Sequence, residues 1–480
     1  MRGAIQTIAW HAFRLRPLHW QFLVIMGLLA VVVWFAGYGQ LQAHGELRLH
    51  DLAAWQPESY GRVLVFAPHP DDEVLAAGGV IRAALAADPP VDMHVVVVTN
   101  GDASFSTALL NGYNFAAKSG YLRLSQIRQQ ESLQALQALG LAPEFVQFWS
   151  FPDQGLGALW SRHWIGDVPY RSRYSGLEQT AGALNSPDTT PYTGKDLLAQ
   201  VRQALAEVRP DAVIMPHPQD AHPDHRAMAH FIVLAVALNQ AEGWSPPPRL
   251  YAYAMWLNTA PRPVSVRLDQ EVQRMPARFD VDPAIWLRFS LSSDVQASKV
   301  TALEAYQSQK RSLKSLLRSA GSGSELFSPV LLRRVSRLAD PAPFPSDGQW
   351  EQLPYRREWV LPGFGSAAVA PTSLWSVADS SGLQLAAQLP RLPRQGASYV
   401  FVLRTVSNGE TTEQQIVASQ AVRAPDGAIY VFASAPLTGT EADGAGQVFA
   451  LSLVTRLSGQ SAVAHSDWQL LRIDASEQVP

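Results

Sequence analysis

The sequence predicts an α/β protein: a Rossmann-like parallel sheet with helices on both faces, preceded by one N-terminal transmembrane helix and followed by a small all-β sandwich domain. Three observations predict it. Strand-like and helix-like segments alternate from Arg62 to about Tyr253, the order of a parallel sheet covered by helices. Ahead of them, Pro17 to Gly45 carries no Asp, Glu, Lys or Arg. Beyond about residue 356 the pattern changes to short strands separated by Gly, Pro, Asn and Asp turns.

The first segment reads as a membrane anchor, 1–45, with its span at about 21–38. Phe22 to Tyr38 is almost wholly apolar, and a spanning helix needs at least ~17 such residues. Trp20 at one end and Trp34 and Tyr38 at the other sit where interfacial aromatics belong. The competing reading is a cleaved signal peptide, whose apolar region usually runs ~7–15 residues; Leu41-Gln42-Ala43 fits its cleavage pattern poorly. Arg2, Arg14 and Arg16 precede the span, and Glu46, Arg48 and Asp51 follow it. The positive-inside rule then gives a single-pass membrane protein with a cytoplasmic N-terminus and the rest of the chain extracytoplasmic, periplasmic if bacterial.

The next unit is expected over 58–338. Arg62–Ala67 is a short β-branched run, Glu73–Ala86 has helical composition, and Met93–Thr99 is a continuous apolar strand of the kind buried on both faces. Leu122–Gly140 has apolar residues at helical spacing and stops at Gly140, a natural C-terminal cap. Phe145–Trp149 reads as a strand, Gly194–Val208 as a helix and Asp211–Pro216 as a strand. A helix from about Asp224 to Asn239 and a strand near Leu250–Tyr253 follow. Gly155–Thr193 is too long for an ordinary connection. Its Trp160, Trp164, Tyr170, Tyr174 and Tyr192 suit either a lid that stacks on sugars or an excursion packed by its own aromatics. Residues 339–355 read as a linker, and 356–480 as the all-β domain, where nothing has catalytic spacing.

Composition narrows the chemistry. Lys+Arg 38 against Asp+Glu 41 gives a net charge of −3, which offers no electrostatic case for a nucleic-acid partner. There is no Cys, so disulfides, thiolate metal sites and cysteine nucleophiles are excluded. A metal, if held, is held by His, Asp or Glu.

Two clusters lie where a parallel sheet binds ligands, at the carboxyl ends of strands. Pro68-His69-Pro70-Asp71-Asp72-Glu73 follows the first strand, and His217-Pro218-Gln219-Asp220-Ala221-His222-Pro223-Asp224-His225 follows Asp211–Pro216. A catalytic zinc takes three N/O ligands and keeps one open position. His69, one Asp of its own loop and one His of the second loop supply such a set. The other member of the Asp71–Asp72 pair diverges from its neighbour and is free to act as a base. A second His beside the ligand offers a donor to a developing oxyanion. Position by position, plainer readings compete: Asp72 suits a helix cap, His217 and His230 suit structural roles, and His94 suits a satisfied core site. The pairing of two His/Asp clusters at matching strand ends favours the metal.

The His69-Pro70-Asp71-Asp72-Glu73 run with Gly78-Gly79, and the His222-Pro223-Asp224-His225 run, resemble the two signature motifs of the PIG-L/LmbE-like zinc N-deacetylases. Thr99-Asn100-Gly101-Asp102, Arg128 with Glu131, Pro152-Asp153, and Lys299 to Ser308-Gln309 match in order, so the resemblance covers about Arg62 to Gln309. It implies that His69, Asp72 and His225 ligate zinc, or another divalent metal. It implies Asp71 as general base, and His222 as general acid or oxyanion donor held by Asp224. Arg128 and Asp153 match positions that contact substrate. The implied reaction is hydrolysis of the N-acetyl group of an amino sugar in a glycan, glycolipid or polysaccharide, at a membrane reached through the N-terminal helix. The alternatives are a zinc amidohydrolase acting on a non-sugar amide, and a catalytically inert carbohydrate-binding surface protein. An inert relative is expected to have lost at least one of His69, Asp71, Asp72, His222 and His225, and none is lost.

Overall fold

A computed structural model describes residues 43–473 apart from 113–117, 165–167, 182–188, 258–263, 277–284, 331, 346–347, 354–356, 361–369, 394, 408–409, 437–446, 458–463 and 467. Its centre is a sheet built on β1 (Arg62–Ala67), β2 (Asp92–Thr99), β3 (Val146–Phe151), β4 (Ala212–Pro216) and β5 (Arg249–Tyr253), all parallel to their neighbours. Five helices matter most here: α1 (Asp72–Leu85), α2 (Lys118–Ala138), α3 (Leu156–Ser161), α4 (Gly194–Val208) and α5 (Pro223–Ala241). A sixth, α6, spans Ser293–Leu303.

The continuous apolar strands are explained by their two buried faces. In β1, Leu64 and Phe66 join one core with α4 and α5, while Val63, Val65 and Ala67 join a second with α1, α2 and α6. Val96 and Val98 against Val95 and Val97 repeat the split in β2, as do Val213 and Met215 against Ala212 and Ile214 in β4. Alternation with period two thus puts an apolar side chain into each layer. The helix ends follow their sequence signals. Thr193 caps α4 by accepting from the Asp196 amide, and Gly140 turns the chain after α2 at φ 99°.

The strand order fixes where the site falls. β1 is hydrogen-bonded to β2 on one side and to β4 on the other, with β3 beyond β2 and β5 beyond β4. The crossover direction therefore reverses between β1 and β4. In open α/β sheets ligands bind at that reversal, outside the carboxyl ends of the strands. The two loops that carry His69 and His225 start from adjacent strand ends.

The structure departs from expectation in several places. The sheet is mixed. β7 (Ser324–Pro329) pairs antiparallel to β5, and β6 (Leu287–Ser290) pairs antiparallel to β7. Glu325 hides β7 from a pattern reading: it is a buried carboxylate satisfied by the Gly79 and Val80 amides and by Lys299 Nζ at 2.5 Å. The folded part also begins earlier than 58. Ala43–Arg48 pairs antiparallel with Val272–Pro276, and Leu47, Leu49 and Leu52 pack with Met275 and Trp286. Among the described residues no helix is long and apolar enough to cross a membrane. The expected transmembrane helix at 21–38 lies outside the described residues. The fold class is corrected to the α/β and all-β architecture, and the membrane partner expected through that helix is dropped with it.

The C-terminal part is two facing sheets. One is built on β8 (Ser373–Ala378), β9 (Leu383–Leu389) and β12 (Ile429–Ala435). The other is built on β10 (Ala397–Ser407), β11 (Glu410–Val417), β13 (Gln447–Leu457) and β14 (Gln469–Ile473). Phe401, Leu403, Phe449, Leu451 and Leu471 face Leu385, Ala387 and Val431 across the sandwich core. Arg333–Val335, expected in the first unit, pairs with β14, and Glu351–Leu353, expected in the linker, pairs with β8. The outer face of the second sheet is not solvated: Val400, Val402, Ala450, Val454 and Trp468 pack into the core that holds α3 and α5.

Candidate active site

The loop after β1 is bent sharply. Asp71 takes φ 138°, a region L residues seldom adopt and one that persists only where its surroundings enforce it. Its amide donates to Glu73 Oε2 at 3.0 Å, and Glu73 is itself held by the hydroxyls of Tyr306 and Ser132. The bend separates two neighbouring carboxylates. Asp72 Oδ2 lies 3.1 Å from His69 Nδ1 and 3.1 Å from His225 Nε2. Asp71 Oδ2 turns away to Arg128 Nη2 at 3.0 Å. Arg128 also donates to the carbonyls of Gly101 and Pro70, each at 2.6 Å. A Cβ on Gly101 would lie 2.0 Å from Arg128 Nη1, and its φ is +61°, so glycine is required there.

His222 caps α5: its Nδ1 accepts from the Asp224 amide at 3.2 Å, which leaves Nε2 to carry the ring proton. Its ring lies 4.6 Å from that of His69 and 5.0 Å from that of His225. It is the Asp224 amide, not its carboxylate, that holds the His222 ring. The Asp224 carboxylate accepts from the amides of Gln154 at 2.6 Å and Leu156 at 3.0 Å, and stands 3.4 Å from His69 Nε2. Asp153 likewise faces inward, 3.3 Å from His69 Nε2, with the Ala103 amide donating to it at 2.8 Å. Arg128 and Asp153 therefore brace Asp71 and His69 in this structure.

The sequence gives Asp220 no visible role. It is fully buried, accepts from the amides of His222, Met255 and Trp256, and lies 3.4 Å from His225 Nδ1. That is the carboxylate partner a ligating imidazole uses to fix its ring. The available signal was an Asp five residues before His225 on the same loop. Asp102 is the other addition, with burial and the Asp153 charge pushing it up to about 7. His94 is only part-buried and pairs with Asp92 at 3.0 Å, so it is no core residue. His217 is part-buried and stacks on Trp286.

Electrostatics make this a place for a cation. Asp71, Asp72, Asp102, Asp153, Asp220 and Asp224 are all buried, against the permanent cations Arg128 and Arg226. Burial pushes Asp71 up to about 7 despite Arg128. Burial acts the same way on Asp72, but the His225 and His69 imidazoles hold it well below the usual carboxylate range. Burial opposes protonation of His225 and His69, yet Asp72 and Asp220 raise the first to about 9, and Asp153 chiefly raises the second. His222 goes the other way, to about 4, through burial and the neighbouring imidazoles. Carboxylates thus draw positive charge onto two imidazoles, where a bound cation would supply it. Both ring nitrogens of His225 are buried without a well-directed hydrogen bond, as befits a ring whose lone pair serves a metal. Ligands of a tetrahedral zinc with bonds of ~2.0–2.2 Å lie roughly 3.3 Å apart, close to the 3.1 Å separations around Asp72 Oδ2. His69, His222 and His225, and also His69, Asp153 and Asp224, bring one ligand atom each within 4.8 Å of one another. The residues fit a metal ion.

The family description that matches residues 64–236 is PIG-L: GlcNAc-PI de-N-acetylase. Those residues form a PIG-L-family domain. The match takes in both loops of the centre and ends within α5. A Rhodococcus opacus protein named 1D-myo-inositol 2-acetamido-2-deoxy-alpha-D-glucopyranoside deacetylase is 31% identical over 177 residues, 36% of this chain and 52% of that one. A Mycolicibacterium smegmatis protein of the same name is 28% identical over 195 residues, 39% of this chain and 57% of that one. The chain thus spans about half the length of the curated relatives it matches. A solved structure of N,N'-diacetylchitobiose deacetylase from Pyrococcus horikoshii is 18% identical and covers 57% of this chain and 85% of its own, at a TM-score of 0.36. That likeness is too loose to carry any argument about chemistry. The PIG-L domain accounts for α1, α2 and the two loops, and the sandwich lies outside it.

Proposed function

We propose that the chain is a metal-dependent N-deacetylase that hydrolyses the N-acetyl group of an amino sugar, with zinc as the metal. The observation that carries this is the pair of 3.1 Å approaches of Asp72 Oδ2 to His69 and His225, while the adjacent Asp71 carboxylate is turned aside. The names of the two curated relatives, both deacetylases of an acetamido sugar, support the substrate class.

His69, Asp72 and His225 would hold the ion. When bound, it lowers the pKa of a water and polarises an acyl oxygen. Asp71 accepts the proton of the attacking water and returns it to the amine as the carbon–nitrogen bond breaks, so acetate and a free amine leave. Arg128 keeps the Asp71 carboxylate on its side of the loop. His222, neutral with its proton on Nε2, donates to the oxyanion. Asp220 fixes the ring of His225, and Asp224 braces His69. At the rim, Tyr174 donates to Gln154 Oε1 at 2.9 Å and packs 5.4 Å from Tyr121. Tyr170 and Tyr174 are only part-buried, and their faces suit a sugar ring. Trp160, Trp164 and Tyr192, the other aromatics of the long excursion, are buried in the core.

The test is metal analysis of the purified protein joined to an acetate-release assay on N-acetylated amino sugars, among them an N-acetylglucosaminyl inositol and a chitooligosaccharide. A chelator is expected to abolish release and zinc to restore it. Release from none of these, or release indifferent to the chelator, overturns the reading.

One variant probes the brace on Asp71. Gly101→Ala forces the Arg128 guanidinium aside. Displacing a catalytic group by about 1 Å can cost ~10²-fold in rate, so kcat is expected to fall on that scale with the metal retained. Full activity would show that Arg128 does not govern Asp71.

A further inference from the structure

The most unusual buried group outside the centre is Arg404, on β10 of the sandwich, 1% exposed. Its guanidinium carbon lies 4.8 Å from the ring of Trp160, 4.1 Å from that of Trp164 and 4.6 Å from that of Trp468. Glu413 on β11 approaches its Nε at 2.9 Å and its Nη2 at 2.8 Å. Burial lowers Arg404 to about 10, which leaves it charged at neutral pH. Desolvating a guanidinium at a domain contact is costly, and an apolar residue of similar size would serve adhesion alone. Three indole faces and one carboxylate offset that cost with directional contacts, which hold the rings in one arrangement.

The rings belong to the elements that carry the centre. Trp160 is the fifth residue of α3, whose first residue is Leu156. The Leu156 amide, and that of Gln154 just before it, hold the Asp224 carboxylate. Trp160 also packs 5.0 Å from Phe231 and 5.2 Å from His230, and Trp164 stacks on Phe231 at 5.7 Å. Both partners lie on α5, which presents His222, Asp224 and His225 from its first turn. The cage therefore pins α3 against α5.

We propose that Arg404 is a positioning residue for the catalytic loops: by clamping Trp160 and Trp164 it sets α3 against α5, so the sandwich is a working part of the hydrolase. The inference takes Asp224 and His225 as site residues from the proposed function, but its primary readout needs no turnover.

In the full-length protein, amide hydrogen exchange is measured at Gln154 and Leu156, with Val65 on β1 as the core reference. Arg404→Met is expected to speed exchange at Gln154 and Leu156 by about tenfold or more while Val65 stays protected. Arg404→Lys, which keeps the cation over the indoles, is expected to recover most of that protection. Trp468→Leu removes one aromatic face of the cage and leaves the other two, and serves if Arg404→Met does not fold; the same local signature is expected. Unchanged exchange at the two amides, or a rise shared equally by Val65, overturns the proposal. With an active substrate in hand, kcat is expected to fall in Arg404→Met with KM nearly unchanged. A protein inactive on every sugar tested leaves the exchange result standing, so the two readings fail separately.

Discussion

His225→Ala is expected to lose its metal and its turnover together. His225 is fully buried, and its Nε2 faces the Asp72 oxygen that also faces His69. Removing it leaves one imidazole and one carboxylate of the proposed set, and two-ligand sites bind weakly. Loss of an outer partner of a ligand typically costs ~10–100-fold in affinity or activity, so loss of the ligand itself should exceed that. The measurement is metal content after dialysis against a weak chelator, with thermal melting to confirm the fold. Asp220→Asn is the graded companion, weakening the metal on the outer-partner scale because His225 Nδ1 loses its carboxylate. Full metal content in His225→Ala would remove the residue from the ligand set.

The convergence behind that result was legible because it depends on two local signals and one topological rule. Each cluster directly follows a run buried on both faces, and parallel strands present their carboxyl ends to one edge. The adjacency of β1 and β4, which turns a shared edge into a shared site, is a non-local pairing that no window of sequence contains. The same limit explains β6 and β7. Leu287–Ser290 is part-buried to exposed, and β7 carries Glu325 where a strand reading expects an apolar residue. Lys299 and the middle of α1 satisfy that carboxylate from far along the chain.

Within the site, residue types were readable but orientations were not. Asp71 and Asp72 diverge as neighbours must, yet which one faces the imidazoles depends on the backbone bend at Asp71. Asp224 illustrates the opposite failure. Its amide holds the neighbouring His222, while the turn after β3 and the first residue of α3 capture its carboxylate with two amides. The sandwich carried a further unread signal. Ser398–Thr405 is apolar almost without alternation, the mark of a strand covered on both sides. Val400 and Val402 meet α3 and α5, whereas Phe401 and Leu403 meet the facing sheet. An independent module would have shown polar residues at every second position.

Asp71→Asn is expected to keep the metal and lose turnover by ~10²–10⁴-fold, the range set by removing a general base. Asparagine is the informative replacement because it keeps the shape and an acceptor oxygen while removing the charge and proton acceptance. Its side-chain oxygen can still receive Arg128 Nη2, now 3.0 Å from the carboxylate, and Asn tolerates positive φ better than most residues. The loop therefore keeps its bend, and Asp72 keeps its approach to His69 and His225. If Asp71 acts only as the reaction passes its transition state, kcat and kcat/KM fall by the same factor and KM stays put. The pH profile adds a second check. A base works deprotonated, so the wild-type rate falls as pH drops through the pKa of Asp71, and that acid limb should be missing from the Asn variant's residual rate. Near-normal turnover would pass the role to another buried carboxylate, Asp102 or Asp153. Loss of metal in Asp71→Asn would instead make Asp71 a ligand, and the division of labour between the two neighbouring aspartates would have to be reversed.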